Sequence, residues 1–290
     1  MRRFEYFAPQ SLAEAVALLR ERGDGVRVLA GGTDLVVQIK EAGLHPSAVV
    51  SLHALDELRG ITGDAASGLR IGARALMSEI EAHPVVRERY TALSDGAGVV
   101  GSVQTRNLAT LGGNVCNAAP SADTSPALVV LDAVAEIAGA NGTREVAVQD
   151  IGTGPGATSL AKDEIAVAFR LPPLPATTGS VYQRHTPRKI MDIAAVGVAV
   201  RLTLAGDAIA EARICLGAVA PTIIRVPDVE QALAGQQPSD ELFARAAELA
   251  QAAARPISDT RGSAEFRRYL VGVMMNRCLG IALERARAGS

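Results

Sequence analysis

The chain has 290 residues, with hydrophobic residues at 48%, charged residues at 21% and a formal net charge of −2. That length suggests two domains of about 150 residues each. With aromatics at 3% and no Trp, the core must be built from Ala, Val, Leu and Ile. The balanced charge, without a Lys/Arg block, argues against nucleic acid as the main partner, because neutralising phosphates needs a clustered positive surface.

The N-terminus, MRRFEYFAPQ, carries charge but no apolar stretch after it, so no secretory signal is expected. No run of about 18 apolar residues occurs, so no membrane span is expected. Residues 11–24 predict a helix. Ser11 can cap it, Glu14 completes an S-x-x-E capping box, and Ala15, Leu18 and Leu19 share one face. A strand over 26–30 closes at Gly31-Gly32. Residues 34–43 return to helix, with Gly43 as its C-cap, and 47–52 form a second strand. This strand-turn-helix-strand unit favours a parallel crossover. Residues 68–73 predict a short strand, and 77–98 a helical stretch with Pro84 as a break or a first-turn residue.

Residues 107–120 carry a second glycine pair, and 124–139 read as a helix followed by a strand. Residues 165–173 alternate and stop at prolines, and 171–180 form the best linker candidate. Beyond it, 194–226 predict antiparallel strands with Ala205-Gly206-Asp207 as a turn. An amphipathic helix over 239–256 and a long helix over 263–289, with Ser263 and Phe266 at its start, complete the chain. Three scattered cysteines, Cys116, Cys215 and Cys278, suit neither a disulfide framework nor a CxxC metal site and point to a reducing, cytoplasmic setting.

The two glycine pairs matter together. Taken singly, Gly-Gly after a strand is a tight turn needing positive φ. Alternatively, the missing Cβ lets successive backbone N–H groups approach an anion. Neither pair belongs to GxGxxG or GxxxxGK[ST]. Yet AGGTDL and TLGGN both join an apolar run to polar residues, and two such nests suit a diphosphate. The second leads into Asn117, Ser121, Asp123, Thr124 and Ser125 among small residues, where a carboxylate such as Asp123 suits sugar or ribityl hydroxyls.

The segments AGGTDL (30–35), RNLATLGGNVCNAAPSADTSPAL (106–128) and YQRHTPRKIMDIAAVGVAV (182–200) resemble the FAD-binding medium subunit of molybdenum hydroxylases. This family includes the carbon monoxide dehydrogenase medium subunit and the xanthine dehydrogenase flavin domain. The resemblance covers nearly the whole chain, and its central motif, R-N-x-A-T-L-G-G-N, is highly specific. It implies an α+β protein. A PCMH-type (vanillyl-alcohol-oxidase-like) FAD-binding domain of two α/β lobes would occupy 1–175, with lobes at about 1–57 and 58–175. A C-terminal domain with a small antiparallel sheet and a helical bundle would occupy 176–290.

The resemblance also implies non-covalent FAD, since no His or Cys sits in a matching attachment context. The residues carried over are Leu29, Ala30, Gly31, Gly32, Thr33, Asp34 and Leu35 in the first loop, and Thr110, Leu111, Gly112, Gly113 and Asn114 in the second. Asp123 matches an acidic residue near the flavin polyol. Ile165 and Ala166, and more distantly Val100, match segments near the isoalloxazine ring. Asp34 beside a pyrophosphate would be repelled unless it points away, so its carboxylate is expected to cap the following helix. Ala195 stands where xanthine dehydrogenases carry a lysine, so that form of flavin tuning is absent.

By the same resemblance, the molybdenum cofactor lies on a large molybdopterin subunit and the [2Fe-2S] clusters on a small iron–sulfur subunit, in a dimer of heterotrimers. Three lone cysteines cannot supply Cys₄ clusters. The chain would pass electrons from those clusters through FAD to NAD⁺, a quinone or O₂. The alternative is a free-standing FAD oxidoreductase with its own substrate pocket. It is disfavoured because no general-base histidine or carboxylate pair adjoins the flavin motifs, and no residue of the chain is expected to be catalytic. Cys116 reads as a small packing residue or, from its loop, a redox-sensitive one. Tyr182 is a candidate shield for the flavin face. His185 and the basic cluster Arg184, Arg188 and Lys189 read as solvated. His45, His53 and His83 adjoin no carboxylate pattern, so no metal site is expected.

Overall fold

The computed structural model describes residues 2–289. The first lobe contains β1 (Glu5–Phe7), α1 (Leu12–Arg22), β2 (Val26–Leu29), α2 (Leu35–Lys40) and β3 (Ala48–Ser51). Its sheet has the order β1-β3-β2, and both pairings are parallel. The predicted crossover is therefore present. Ser11 caps α1 by accepting from the Glu14 N–H at 3.2 Å. The Glu14 carboxylate reaches back to the N–H of Gln10, at 2.8 Å, one residue earlier than in a standard capping box. β1 was not anticipated, because three residues are too few to show alternation.

The second lobe begins with β4 (Ile61–Asp64) and β5 (Gly68–Gly72), followed by α3 (Met77–Ala82), α4 (Pro84–Arg89), α5 (Thr91–Gly98), α6 (Val103–Arg106), α7 (Leu111–Cys116) and α8 (Thr124–Val130). It ends with β6 (Val134–Gly139), β7 (Gly142–Ala147), β8 (Gly152–Gly154), β9 (Ala157–Thr158) and β10 (Ile165–Leu171). The main sheet runs β4-β5-β10-β6-β7 and is antiparallel throughout. The predicted helical stretch over 77–98 is three helices. Pro84 occupies the first turn of α4, where its missing N–H costs nothing. Tyr90, at φ −117° and ψ 49°, separates α4 from α5.

The remaining elements are β11 (Thr178–His185), β12 (Val196–Ala205), β13 (Ala208–Gly217), β14 (Ile224–Arg225), α9 (Pro227–Leu233), α10 (Asp240–Ala253) and α11 (Ala264–Ala288). The strands form one antiparallel sheet in sequence order. The linker proposed over 171–180 is too long by four residues, because Leu171 still pairs with β5 and Thr178–Ser180 already pair with β12. Gly179 is what lets α11 lie on β11, since a Cβ there would overlap the Ala282 carbonyl oxygen. β12 is buried on both faces, which accounts for its apolar run from Val196 to Val200. Val198 and Val200 belong to the core shared with α10 and α11. Ala199 belongs to the core of the second lobe.

Polar contacts reinforce that seam. Arg285 Nη1 donates to Asp95 Oδ2 at 2.6 Å. Arg201 Nη2 donates to Asp132 Oδ2 at 2.7 Å. The Thr91 hydroxyl donates to the Ser180 carbonyl.

Candidate functional site

A cleft of about 510 Å³ opens between the two lobes. Its first wall is the loop leaving β2. Gly32 adopts φ +76°, a left-handed conformation that a side chain rarely adopts. Gly31 serves a different purpose. A Cβ there would overlap the Leu108 carbonyl oxygen, so this glycine lets the first lobe touch the segment that leads into the second loop. The backbone N–H groups of Gly31, Gly32, Thr33 and Asp34 find no backbone acceptor among the described residues. Partly buried amides without partners are costly, and successive ones form a concavity suited to an anion. These four residues and Ala30 and Leu35 all line the cleft.

Asp34 does not cap α2. It stands at the N-cap position with φ −95° and ψ −50°, and its side chain makes no capping hydrogen bond. With the backbone already helical, the carboxylate is not directed at the first-turn amides. Burial raises its pKa, a direction that eases the repulsion anticipated beside a phosphate.

The second loop departs from the predicted turn. Gly112 and Gly113 lie inside α7, without positive φ. Their amides are occupied: Gly112 N–H donates to the Ala73 carbonyl at 2.8 Å, and Gly113 N–H donates to Thr110 Oγ1 at 3.2 Å. The Asn114 N–H donates to the Thr110 carbonyl at 3.0 Å. A Cβ on Gly112 would come within 2.8 Å of Ala73 Cβ, so this glycine serves close packing. The second loop is therefore not an open nest of amides. It presents side chains: the Thr110 hydroxyl, and Asn114, whose Oδ1 accepts from Thr124 Oγ1 at 2.6 Å. Thr110, Gly112, Gly113 and Asn114 all line the cleft.

The start of β10 contributes Ile165 and Ala166 to the lining, and Val100 joins them. Cys116 also lines the cleft. Burial pushes its thiol up to about 12, which keeps it protonated near neutrality and favours the packing role over a reactive one.

Three predicted residues do not line the cleft. Leu29 lies behind Gly32, where a glycine Cβ would meet its Cδ1 at 3.1 Å. Leu111 is fully buried in the second-lobe core. Asp123 is 6% exposed and fully engaged elsewhere. Its Oδ1 accepts from the Tyr182 hydroxyl at 2.8 Å and its Oδ2 from Arg184 Nη1 at 2.6 Å. Burial raises the Asp123 pKa to about 6, outweighing the opposing pull of Arg184 and Tyr182. Tyr182 is buried at this junction. Arg184, expected to be solvated, has a side chain only 8% exposed. His185 is half-buried and packs edge-on against Phe266 at 5.9 Å between ring centroids.

Sequence reasoning missed Arg27, Gln38, Arg74 and Glu164, which also line the cleft, as does Asn117, one of the polar residues noted after the second glycine pair. Gln38 was within reach, because it lies four residues after Asp34 and so shares its helix face. Gln38 Nε2 donates to Asn117 Oδ1 at 3.3 Å, a bond that crosses from one lobe to the other. Arg74 had no local signal. It is buried against the Leu55 carbonyl, to which its Nη1 donates at 3.0 Å.

Two family models match consecutive parts of the chain: the FAD binding domain in molybdopterin dehydrogenase over residues 2–174 and the CO dehydrogenase flavoprotein C-terminal domain over residues 182–282. The chain is 34% identical to the putative xanthine dehydrogenase FAD-binding subunit of Escherichia coli K12, over 97% of this chain and 96% of that one. It is 33% identical to the carbon monoxide dehydrogenase medium chain of Hydrogenophaga pseudoflava, over 98% of each. Its structure resembles solved carbon monoxide dehydrogenase from H. pseudoflava with a TM-score of 0.94 at 34% identity, covering 98% of each chain. It resembles quinoline 2-oxidoreductase from Pseudomonas putida 86 with a TM-score of 0.90 at 29% identity, covering 99% of this chain and 98% of that one. The architecture is thus the PCMH-type fold followed by the flavoprotein C-terminal domain, and the chain belongs to the family of FAD-binding subunits of molybdopterin dehydrogenases.

Proposed function

We propose that this chain is an oxidoreductase component: the FAD-binding, electron-transfer subunit of a molybdenum hydroxylase complex. The observation that carries the reading is the row of unpartnered amides from Gly31 to Asp34, in a cleft that Thr110 and Asn114 also line. The cleft fits the cofactor. Its volume lies within the usual range for small-molecule sites, roughly 300–1,000 Å³, and the glycines that close it have no room for side chains. FAD held here would supply the redox chemistry that links iron–sulfur clusters to a terminal acceptor.

The chain's own residues bind and orient. The amides of Gly31, Gly32, Thr33 and Asp34 would receive pyrophosphate oxygens, with the Thr33 hydroxyl beside them. Thr110 and Asn114 would hold the cofactor from the second lobe. Ile165, Ala166 and Val100 offer an apolar wall suited to the ring system and to excluding water. Asp123, engaged at the domain junction, would support the site from behind. Attachment would be non-covalent: no histidine lines the cleft, and its one cysteine, Cys116, lies outside any attachment context that the resemblance implies.

The molybdenum cofactor and the [2Fe-2S] clusters belong to large and small partner subunits. Two such heterotrimers would associate as a dimer, in line with the resemblance. We place the domain boundary at about residue 175, with the lobes of the flavin domain meeting near residue 57. The cysteines are unpaired, which suits the cytoplasm, and no helix among the described residues is long and apolar enough to cross a membrane. A free-standing oxidoreductase is the weaker reading, because relatives that match along almost their whole length carry subunit names.

The test is titration of the purified chain with FAD, followed by flavin fluorescence and visible absorbance. One FAD bound per chain is expected. A chain that stays colourless in excess FAD overturns the reading.

A further inference from the structure

We propose that Thr124, which does not line the cleft, is a positioning residue for the cofactor and acts by fixing the orientation of the Asn114 side-chain amide. The proposal rests on the FAD reading above. Asn114 carries a carbonyl oxygen and an NH₂ on one rotatable group, and the two ends have opposite meaning for an anion. The NH₂ donates to phosphate oxygens, whereas the carbonyl repels them. A solvated amide samples both orientations, so half of its value to a diphosphate is lost unless something selects one.

Thr124 makes that selection. It is the first residue of α8 and is 0% exposed. Its Oγ1 donates to Asn114 Oδ1 at 2.6 Å, a bond that consumes the carbonyl end and leaves the NH₂ for the cleft that Asn114 lines. A hydroxyl in a dry setting has strong reason to keep this bond, since an unmade one costs its desolvation. Thr124 is itself anchored through its neighbour, because Asp123 is held by Tyr182 and Arg184. The start of α8 is therefore fixed against β11 by a buried ion pair, which limits how far Thr124 can move. This also gives the position a reason to be Thr and not Val: the methyl packs, and the hydroxyl selects the amide orientation.

The test uses the full chain and equilibrium FAD binding, in a cycle of variants. Thr124→Val keeps the shape and removes the donor. It is expected to weaken FAD binding about 5- to 10-fold, the value of one hydrogen bond, with little change in Tm. Thr124→Ser, which restores the hydroxyl, is expected to bind within about twofold of the unaltered chain. In an Asn114→Ala background, Thr124→Val should cause no further loss, because the group through which it acts is gone. Failure of the unaltered chain to bind FAD would refute the functional reading. Binding by the unaltered chain together with equal binding by Thr124→Val, or an undiminished Thr124→Val effect in the Asn114→Ala background, would overturn this inference alone.

Discussion

Gly31 and Gly32 are adjacent and chemically identical, yet they answer to different constraints. Gly31 lacks room, because a Cβ would overlap the Leu108 carbonyl oxygen. Gly32 needs φ +76°. Gly31→Ala is expected to cost about 1–3 kcal/mol by forcing the lobes apart and to lose FAD binding with it. Gly32→Ala costs about 1–2 kcal/mol, the penalty of left-handed backbone for a side chain. Urea denaturation of the two variants, read beside FAD titration, checks the order.

Asp123 sets a pH dependence at the same scale. Its folded pKa of about 6 lies above the value of about 3.9 for an unfolded aspartate. The folded state therefore keeps this proton after the unfolded chain has released it. The group's contribution to stability is full below about pH 4. It declines by up to about 1.4 kcal/mol per pH unit as pH rises towards the folded pKa, and it is constant above. Asp123→Asn should flatten the stability profile between pH 4 and 6, although it also leaves Arg184 uncompensated and lowers stability overall. A profile as steep as that of the unaltered chain would show that Asp123 titrates elsewhere.

At the scale of elements, α7 is the piece whose N-terminal turn borders the cleft and is capped by the Thr110 side chain. Thr110 accepts from Gly113 N–H, and the helix is only six residues long, too short to be stable by itself. Thr110→Ala is expected to destabilise the protein by about 1 kcal/mol through the lost cap and to reduce FAD affinity. Thr110→Ser should restore most of both. Guanidinium denaturation and FAD titration, run on both variants, measure the two effects.

Elements with local signals were readable from the chain: the capped α1, the β2–α2–β3 crossover, and α10 and α11, capped by Ser239 and Ser263. The start of β11 was hidden because Thr178 to Ser180 look like a linker, and only pairing with β12 makes them a strand. β7 was hidden because GTREVA has no alternation and four exposed residues. The first glycine loop was legible as a nest. The second was misread, since whether Gly112 turns or packs is decided by Ala73, far away in sequence. Asp123 was located as important by its motif, but its partners on β11 had no local trace.

For the whole molecule, the cleft joins two lobes that few polar contacts bridge directly, the Gln38–Asn117 bond being one. A cofactor gripped from both sides should therefore act as a structural tie. FAD at about 100 times its Kd is expected to add about 2.7 kcal/mol to stability by mass action, and a Tm measured against FAD concentration should rise accordingly. Hydrogen exchange should slow at residues 30–35 and 110–117 together; protection of one loop alone would count against a shared site.

The Asp123 contact with Tyr182 and Arg184 also bears on how freely the two halves can be recombined. The flavin half supplies the acid, and the C-terminal half supplies both groups that hold it. A fragment ending near residue 175 would expose an apolar sheet-facing surface and leave that carboxylate with neither partner. A chimera that joined this flavin half to the C-terminal half of a relative would inherit the same defect unless the tyrosine and the arginine came along. The two family-sized segments are thus separable as sequence patterns, but as physical objects they share one buried charge, and inheritance has to move its three owners as a set.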